Sequence, residues 1–244
     1  MTGVQTCALP ISDEWNKYDN ASFDQTNNLL KFSLEGETEN ISGEYTAGVA
    51  STCNSGQDNG AIPEVVATYI SVTNGNWDDP ATWDTYPVSG GTVPSNGPRG
   101  AIVFIEHDVS VTSNYALNYK TNINAPGELN VASTFGHRLG YVLGNGTLYL
   151  ERGDMPAGVY NDFIDSNGGT LEFGGTTDYD ILSEMPQINN LTLSGTGERR
   201  FPNLDLSLSG HLTINGAALI NEHDRTTRIN KNVIFNSGSF DSGI

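Results

Sequence analysis

The sequence predicts an all-β protein whose larger part is a parallel β-helix, also called a β-solenoid. Apolar residues recur in pairs two positions apart, and these pairs return every 19 to 23 residues between positions 129 and 235. The 28 glycines and 10 prolines divide the chain into short segments, and almost no stretch has the apolar period of a helix. An alternating stretch before the repeat predicts strands of a truncated β-sandwich.

The first eleven residues do not have the pattern of a natural protein start. They run Met-Thr-Gly-Val-Gln-Thr-Cys-Ala-Leu-Pro-Ile and lack both the basic stretch and the apolar stretch of a signal peptide. All eleven resemble the conceptual translation of a common short-read sequencing adapter. We therefore expect residues 1–11 to be an adapter artefact, and we expect the chain to be a fragment that is also truncated at its C-terminal end.

Residues 12–49 alternate between apolar and polar side chains, as strands do. Leu29–Leu34 and Ile41–Gly48 are the clearest examples. So few strands cannot fill the space between two packed sheets, so we interpret the segment as the C-terminal remnant of a β-sandwich domain. Residues 50–64 are small, polar and rich in turn formers, which predicts a linker.

Residues 65–100 contain two tryptophans six positions apart, Trp77 and Trp83, separated by Asp78-Asp79-Pro80. An exposed pair of this kind could stack on a sugar ring. Such rings more often close the open end of a core, where each buries a large apolar area. We therefore predict that residues 65–100 form a capping segment.

Residues 101–244 carry the repeat of apolar pairs. Two residues at positions i and i+2 of a strand point to the same face of a sheet. A period near twenty residues is typical of one solenoid coil, so successive pairs are expected to stack into one apolar core. An antiparallel sandwich of hairpins would give the same alternation, but the near-constant period favours the solenoid. The pairs are Leu129/Val131, Leu148/Leu150, Leu171/Phe173, Leu191/Leu193, Leu212/Ile214 and Val233/Phe235.

Three features of the sequence together resemble a family of large bacterial surface proteins. They are Ser71–Trp83 with its Trp-Asp-Asp-Pro-Ala-Thr-Trp motif, the strands around Glu106–Asp108, and the tandem Leu-Thr-Leu and Leu-Thr-Ile segments of the repeat. Ile41–Gly48 is similar to the terminal strand of a sandwich domain in the same proteins. Gliding outer-membrane bacteria export such proteins, often through the type IX secretion route.

The resemblance implies a fold and a location. Members are long, adhesin-like proteins with right-handed parallel β-helix modules, so a right-handed coil is expected here. They are secreted or displayed on the cell surface, which implies an extracellular or outer-surface location. Their functions are mostly unassigned, and we predict a non-catalytic structural module that extends and displays surface in a large adhesin-like protein.

The acidic composition of the chain reduces the classes of partner that it can be expected to bind. There are 11 basic and 29 acidic residues, for a net charge of −18. Phosphate binding needs clustered lysines and arginines, so we expect no nucleic-acid partner. No apolar run approaches the ~20 residues of a membrane span, so we expect no membrane insertion. An extracellular glycan, a cell-surface partner and the rest of the parent protein on both sides remain as partners.

An enzyme that degrades polysaccharides, as a lyase or a hydrolase, is the first alternative. Such enzymes use clustered carboxylates and a basic residue. The candidate groups are not aligned at the spacing of one coil, and acidic turn residues are usually structural. We therefore predict no catalytic activity. The candidates are Asp154, Asp162, Asp165, Asp178 and Asp180 as acids, and Arg152, Arg199 and Arg200 as bases.

A module that binds carbohydrate or calcium is the second alternative. Carbohydrate binding needs exposed aromatic side chains in a row on one face of the solenoid, and the middle coils contain Tyr141, Tyr149, Tyr160 and Tyr179. The four histidines form no His-x-His or His-Glu-x-x-His pattern, so we predict no metal site and no cofactor. Calcium stays open as a ligand, although no motif supports it.

Overall fold

The computed structural model divides the chain into two compact units, Met1–Pro63 and Glu64–Ile244. It describes four short strands of the first unit and, in the second, residues 66–112, 116–181, 186–223 and 225–241. The strands of the first unit are β1 (Thr6–Ala8), β2 (Ser22–Asp24), β3 (Leu29–Lys31) and β4 (Tyr45–Ala47). They pair antiparallel, β1 with β4 and β2 with β3. The rest of the predicted adapter, sandwich remnant and linker lies outside the described residues.

The second unit begins with strands β5 (Thr68–Ser71) and β6 (Gly75–Asn76), a 3₁₀ helix (Pro80–Thr82) and strand β7 (Trp83–Thr85). Asp79 begins the 3₁₀ helix, because its Oδ1 accepts a hydrogen bond from the backbone N–H of Ala81 at 2.9 Å. The fixed φ of Pro80 suits the first helical position. The chain then reverses, and β7 pairs antiparallel with β5.

Sixteen further strands follow, most of them three to six residues long. The first eight are β8 (Ile102–Ile105), β9 (Asp108–Ser110), β10 (Lys120–Ile123), β11 (Glu128–Ala132), β12 (Arg138–Leu143), β13 (Thr147–Leu150), β14 (Ala157–Val159) and β15 (Thr170–Phe173). The last eight are β16 (Tyr179–Asp180), β17 (Gln187–Ile188), β18 (Asn190–Ser194), β19 (Glu198–Arg200), β20 (Leu206–Leu208), β21 (Leu212–Ile220), β22 (Thr227–Ile229) and β23 (Val233–Asp241).

These strands form three sheets. Strands that are neighbours in a sheet are mostly not consecutive in the chain, because successive strands alternate between the sheets. A six-stranded sheet has the order β14-β12-β10-β8-β5-β7, and a three-stranded sheet has the order β17-β20-β22. A ten-stranded sheet has the order β16-β19-β21-β18-β15-β13-β11-β9-β6, with β23 also on β21. Within these sheets every ladder except β5–β7 is parallel. Each coil adds one strand to a sheet, so the predicted β-solenoid is confirmed, with about six coils. The antiparallel-sandwich alternative is wrong for this region.

The core includes apolar columns that run through the ten-stranded sheet. In the first, each leucine lies in register with the leucine of the next coil, and all are buried: Leu129, Leu148, Leu171, Leu191 and Leu212. In the second, the buried members are Leu150, Phe173, Leu193 and Ile214. Their alternation with half-exposed polar residues is the reason why this part of the chain forms strands.

Two predicted members of the columns differ from the others. Val131 is buried, but the register shifts between Asn130 and Ala132, so Leu150 lies opposite Ala132. Val233 and Phe235 continue both columns in register with Leu212 and Ile214. They are nevertheless 57% and 55% exposed, because no described strand lies on the other side of β23.

Glycines stack at one corner of successive coils. Gly195 and Gly216 have φ angles of 80° and 108°, which side chains other than glycine rarely adopt. A Cβ atom on Gly195 would lie 1.9 Å from the carbonyl oxygen of Gly175, and one on Gly216 would lie 2.4 Å from that of Gly195. Only glycine therefore lets the coils turn here at the spacing that the parallel ladders require.

Candidate functional site

The outer face of the six-stranded sheet carries an unusual group of side chains. Strand β8 alternates between buried and half-exposed residues, so Ile102 and Phe104 point outwards. Lys120 lies in register between Ile102 and Tyr141 on neighbouring strands. We call this group the aromatic face; it consists of Tyr86, Ile102, Phe104, Tyr119, Lys120 and Tyr141.

The four aromatic rings of this face lie in two pairs, and three of them are exposed. Tyr119 and Tyr141 are 56% and 54% exposed, and their ring centroids are 6.2 Å apart in an edge-to-face arrangement. Tyr86 is 47% exposed and lies against Phe104, with 5.1 Å between the centroids. Large aromatic side chains are costly to leave in water, so three exposed rings beside the half-exposed Phe104 indicate an interaction surface.

Three basic side chains lie on this face or beside it. Arg99 and Arg138 form backbone bridges to Leu117 from either side, and they precede Ile102 and Tyr141 by three residues each. Both arginines are exposed. Among the described residues, none of the ion pairs involves Arg99, Lys120 or Arg138.

Carboxylates are almost absent from the strands of this sheet. Their single acidic residue is Asp84 on β7. Its Oδ1 already accepts hydrogen bonds from the backbone N–H groups of Thr85, at 2.8 Å, and Gly90, at 2.7 Å. The chain has a net charge of −18, but the aromatic face and its surroundings have more basic than acidic side chains.

The outer face of the ten-stranded sheet has the opposite character. Glu128 lies in register with Asp108 on the neighbouring strand, and Glu172 lies on β15, two strands away on the other side. Burial raises the pKa of Glu128, and the charges of Glu172 and Asp108 raise it further, against a hydrogen bond from Asn130 that lowers it. These carboxylates repel one another, and an acidic cluster by itself does not make a binding site.

Replacing Glu128 by glutamine is expected to stabilise the protein at pH 7 by about 0.5 kcal/mol, since like charges directly opposite each other destabilise a sheet. The folded-state pKa lies above the ordinary value of 4.5, so the ionised form costs stability at neutral pH. The cost disappears as the pH falls below that value. Urea unfolding at pH 7 and pH 4 measures the difference.

The matched control is Asp162→Asn, which removes an exposed carboxylate from a turn. It should leave the free energy of unfolding nearly unchanged at both pH values. Two results would contradict the repulsion described for Glu128. One is a Glu128→Gln variant that is less stable than the wild type at pH 7, and the other is a variant that is stabilised by the same amount at pH 7 and pH 4.

A pocket of about 290 Å³ lies between the loops that follow β11 and β13. On its wall, the buried ring of His137 accepts a hydrogen bond at Nδ1 from the backbone N–H of Ala116 at 3.1 Å. Its Nε2 lies 2.9 Å from Oγ1 of Thr134. Burial and then the charge of Arg152 lower the pKa of His137, so the ring is neutral at pH 7. The bond from Ala116 to His137 joins adjacent coils, which is a structural role.

The predicted acids and bases are spread over several turns. Arg152 and Asp154 form an ion pair of 3.1 Å beside this pocket. Asp162 is exposed in a turn. Asp165 also lies in a turn, where its Oδ1 accepts a hydrogen bond from the backbone N–H of Asn167 at 2.8 Å. The structure therefore does not bring these carboxylates to a common centre.

The second predicted group lies on β16, on β19 and, for Asp178, directly before β16. Asp178 accepts a hydrogen bond from the backbone N–H of Glu198 at 2.8 Å. Asp180 lies 3.6 Å from the guanidinium of Arg200, which also binds Glu198 at 2.6 Å. Hydrogen bonding to Glu198 is the largest cause that raises the pKa of Arg200, so it stays protonated. The two aspartates thus hold neighbouring coils in register.

Arg199 lies inside the coil, completely buried. Its guanidinium donates hydrogen bonds to six backbone carbonyls, those of Phe173, Gly174, Gly175, Thr177, Ser194 and Glu198. It also lies over the ring of Tyr179, 4.3 Å from the centroid. Buried away from any substrate and bound to carbonyls through all three nitrogens, this guanidinium closes a corner of the solenoid.

The two predicted tryptophans lie together at the start of the solenoid. Trp77 and Trp83 are buried, with ring centroids 4.9 Å apart and an interplanar angle of 70°. Their indole N–H groups donate to the carbonyls of Pro98, at 3.2 Å, and Trp77, at 2.9 Å. Neither ring is accessible to a sugar in this arrangement.

Of the four tyrosines singled out in the sequence, only Tyr141 belongs to the aromatic face. Tyr149 donates to Oε1 of Glu151 at 3.0 Å, Tyr160 is buried, and Tyr179 packs on Arg199. Sequence reasoning missed Tyr86, Phe104 and Tyr119. A signal was present for one pair, because Tyr119 and Tyr141 are 22 residues apart, about one coil.

The described part of the chain also bears on metal and membrane binding. That part holds no cluster of three or more His, Cys, Asp or Glu side chains suited to a metal ion. None of its helical segments has the length and apolar character that a membrane crossing requires. Comparison of the whole chain with protein-family models, curated proteins and solved structures found no match.

Proposed function

We propose that this chain belongs to a non-catalytic, structural and adhesin-like module of a large secreted protein on the outer cell surface. The observation that carries the proposal is the continuous core of stacked leucines from Leu129 to Leu212. A solenoid whose coils all share one core is an elongated scaffold, and its outer faces present side chains to the surroundings.

The contacts of the candidate acidic and basic side chains support the role of a structural scaffold. Arg199 is buried on carbonyls, and Asp178, Asp180 and Arg200 join neighbouring coils. A polysaccharide lyase or hydrolase needs carboxylates and a base around one substrate position. The side chains that were its best candidates already have structural partners, so the enzyme alternative gains no support from them.

The location rests on composition and on the resemblance to large surface proteins. A net charge of −18 keeps a protein soluble and disfavours binding to nucleic acid. Export through the type IX route follows from the resemblance and belongs to the same proposal. The partners are then an extracellular glycan or another component of the cell surface.

The proposal predicts that the folded protein cleaves no polysaccharide and is accessible from outside the cell. Incubation with polygalacturonate and alginate should yield no new reducing ends and no unsaturated products. Antibodies against the solenoid should label intact cells of the source organism. Cleavage that is lost in an Asp178→Asn variant, or labelling only after the cells are permeabilised, would overturn the proposal.

A further inference from the structure

We propose that the aromatic face binds a linear polysaccharide that carries carboxylate groups. The inference rests on the adhesin-like role proposed above and deepens it by naming the site and the chemistry of its partner. Its basis is the meeting, on one face of one sheet, of four aromatic rings with cations that form no ion pair among the described residues.

The aromatic rings provide the apolar half of the site. The C–H groups of a sugar ring pack well on the electron-rich face of an aromatic side chain. Tyr119 and Tyr141 lie on neighbouring coils, and Tyr86 and Phe104 form a second contact towards the start of the solenoid. Adjacent strands are about 4.8 Å apart, so a ligand in contact with both pairs must extend over several strands. A chain polymer meets that requirement better than a small molecule.

The basic side chains select an anionic chain. Arg99, Lys120 and Arg138 lie among the rings or beside them, and among the described residues no carboxylate forms an ion pair with them. The planar guanidinium of an arginine matches a carboxylate in a bidentate geometry. In a protein of net charge −18, three cations and one occupied carboxylate make this sheet complementary to a polyanion.

Other occupants fit this face less well. Duplex DNA carries one negative charge per about 1.7 Å of its axis, so it meets more repulsion from a protein of net charge −18 than a polysaccharide with at most one carboxylate per sugar. A protein partner would favour a dry apolar centre with charges at the rim, whereas Lys120 lies in register between Ile102 and Tyr141 in the middle of the face. A sugar polymer places polar and apolar groups side by side along its length, as this face does.

The test measures binding of the full chain to polygalacturonate by isothermal titration calorimetry, with dextran as the neutral polymer and dextran sulfate as the sulfated one. We expect binding to polygalacturonate that weakens as salt is added, because salt screens the exposed charges. We expect no detectable binding to dextran and weaker binding to dextran sulfate.

Two variants test the rings, and the second is a matched control. Tyr141→Ala should weaken binding about tenfold, since it removes a stacking surface. Tyr141→Phe keeps the ring and should bind nearly as the wild type does. Both variants should melt like the wild type, because this side chain is 54% exposed.

Two further variants test the charges. Arg138→Gln should weaken binding about tenfold and reduce its dependence on salt. Arg228→Gln removes an exposed arginine of β22, outside the aromatic face, and should have no effect. A loss of binding that is equal in both variants would indicate general charge attraction and overturn the proposed site.

The remaining outcomes separate this inference from the function on which it rests. If dextran bound as tightly as polygalacturonate, or dextran sulfate bound more tightly, the proposal that the ligand carries carboxylates would be wrong. If none of these polymers binds but the solenoid is displayed on cells and cleaves nothing, the glycan site is wrong and the adhesin-like role stands. Cleavage of the polymer would overturn the role itself.

Discussion

Replacing Arg199 by alanine is expected to lower the free energy of unfolding by about 3–5 kcal/mol, because several buried carbonyls lose a charged donor at about 1–3 kcal/mol each. The substitution removes the guanidinium that donates to six backbone carbonyls of one corner and opens a cavity beside Tyr179. Of these carbonyls, that of Gly175 keeps a hydrogen bond from the backbone N–H of Thr196 at 3.0 Å. Buried acceptors without partners are costly because water cannot reach them. Urea unfolding followed by circular dichroism measures the change.

Lysine at position 199 should not rescue the protein. Its ammonium group has three donors on one atom, whereas the planar guanidinium spreads five over three nitrogens. The neighbouring Arg200→Ala is the control, because that side chain lies on the surface and pairs with Glu198 and Asp180. If Arg199→Ala and Arg200→Ala unfold at the same urea concentration, Arg199 does not hold the corner together.

Replacing Phe173 by alanine is expected to destabilise the protein by about 3–5 kcal/mol, the usual cost of a large cavity in an apolar core. Phe173 is completely buried and lies between Leu150 and Leu193 of the adjacent coils. The coils share one core, so the cavity weakens contacts to both neighbours at once. Thermal and urea unfolding both report this loss.

The same column contains its own control at Phe235. Phe235 lies in register with Ile214, as Phe173 does with Leu193, but it is 55% exposed. Phe235→Ala removes identical atoms and should cost less than about 1 kcal/mol, because little burial is lost. Equal losses from the two substitutions would contradict the gradient of burial along the column.

The columns were predictable from the sequence because strand geometry repeats every two residues. A pair such as Leu171 and Phe173 must point to one face of its strand, whatever surrounds it. The return of such pairs after about one coil then favours stacking. The bulge that places Leu150 opposite Ala132 was not predictable, since a local register shift leaves the alternation of side chains nearly intact.

The role of Arg199 could not be predicted in the same way. In the sequence, Arg199 and Arg200 are equivalent members of a basic pair, and both were candidate bases. The strand alternation separates them: Arg199 points into the coil, and Arg200 points out. The carbonyls that receive Arg199 come from Phe173 to Glu198, and their positions exist only once the coils have stacked.

By itself, the sequence determined the all-β class, the stacking of coils and most of the core residues, because these depend on short periods that local backbone geometry imposes. Only the tertiary structure decided what lies on the outer faces. The rings and cations of the aromatic face come from positions 86 to 141, in separate coils, and no local pattern relates them. Their proximity depends on the register between parallel strands, which long-range packing sets.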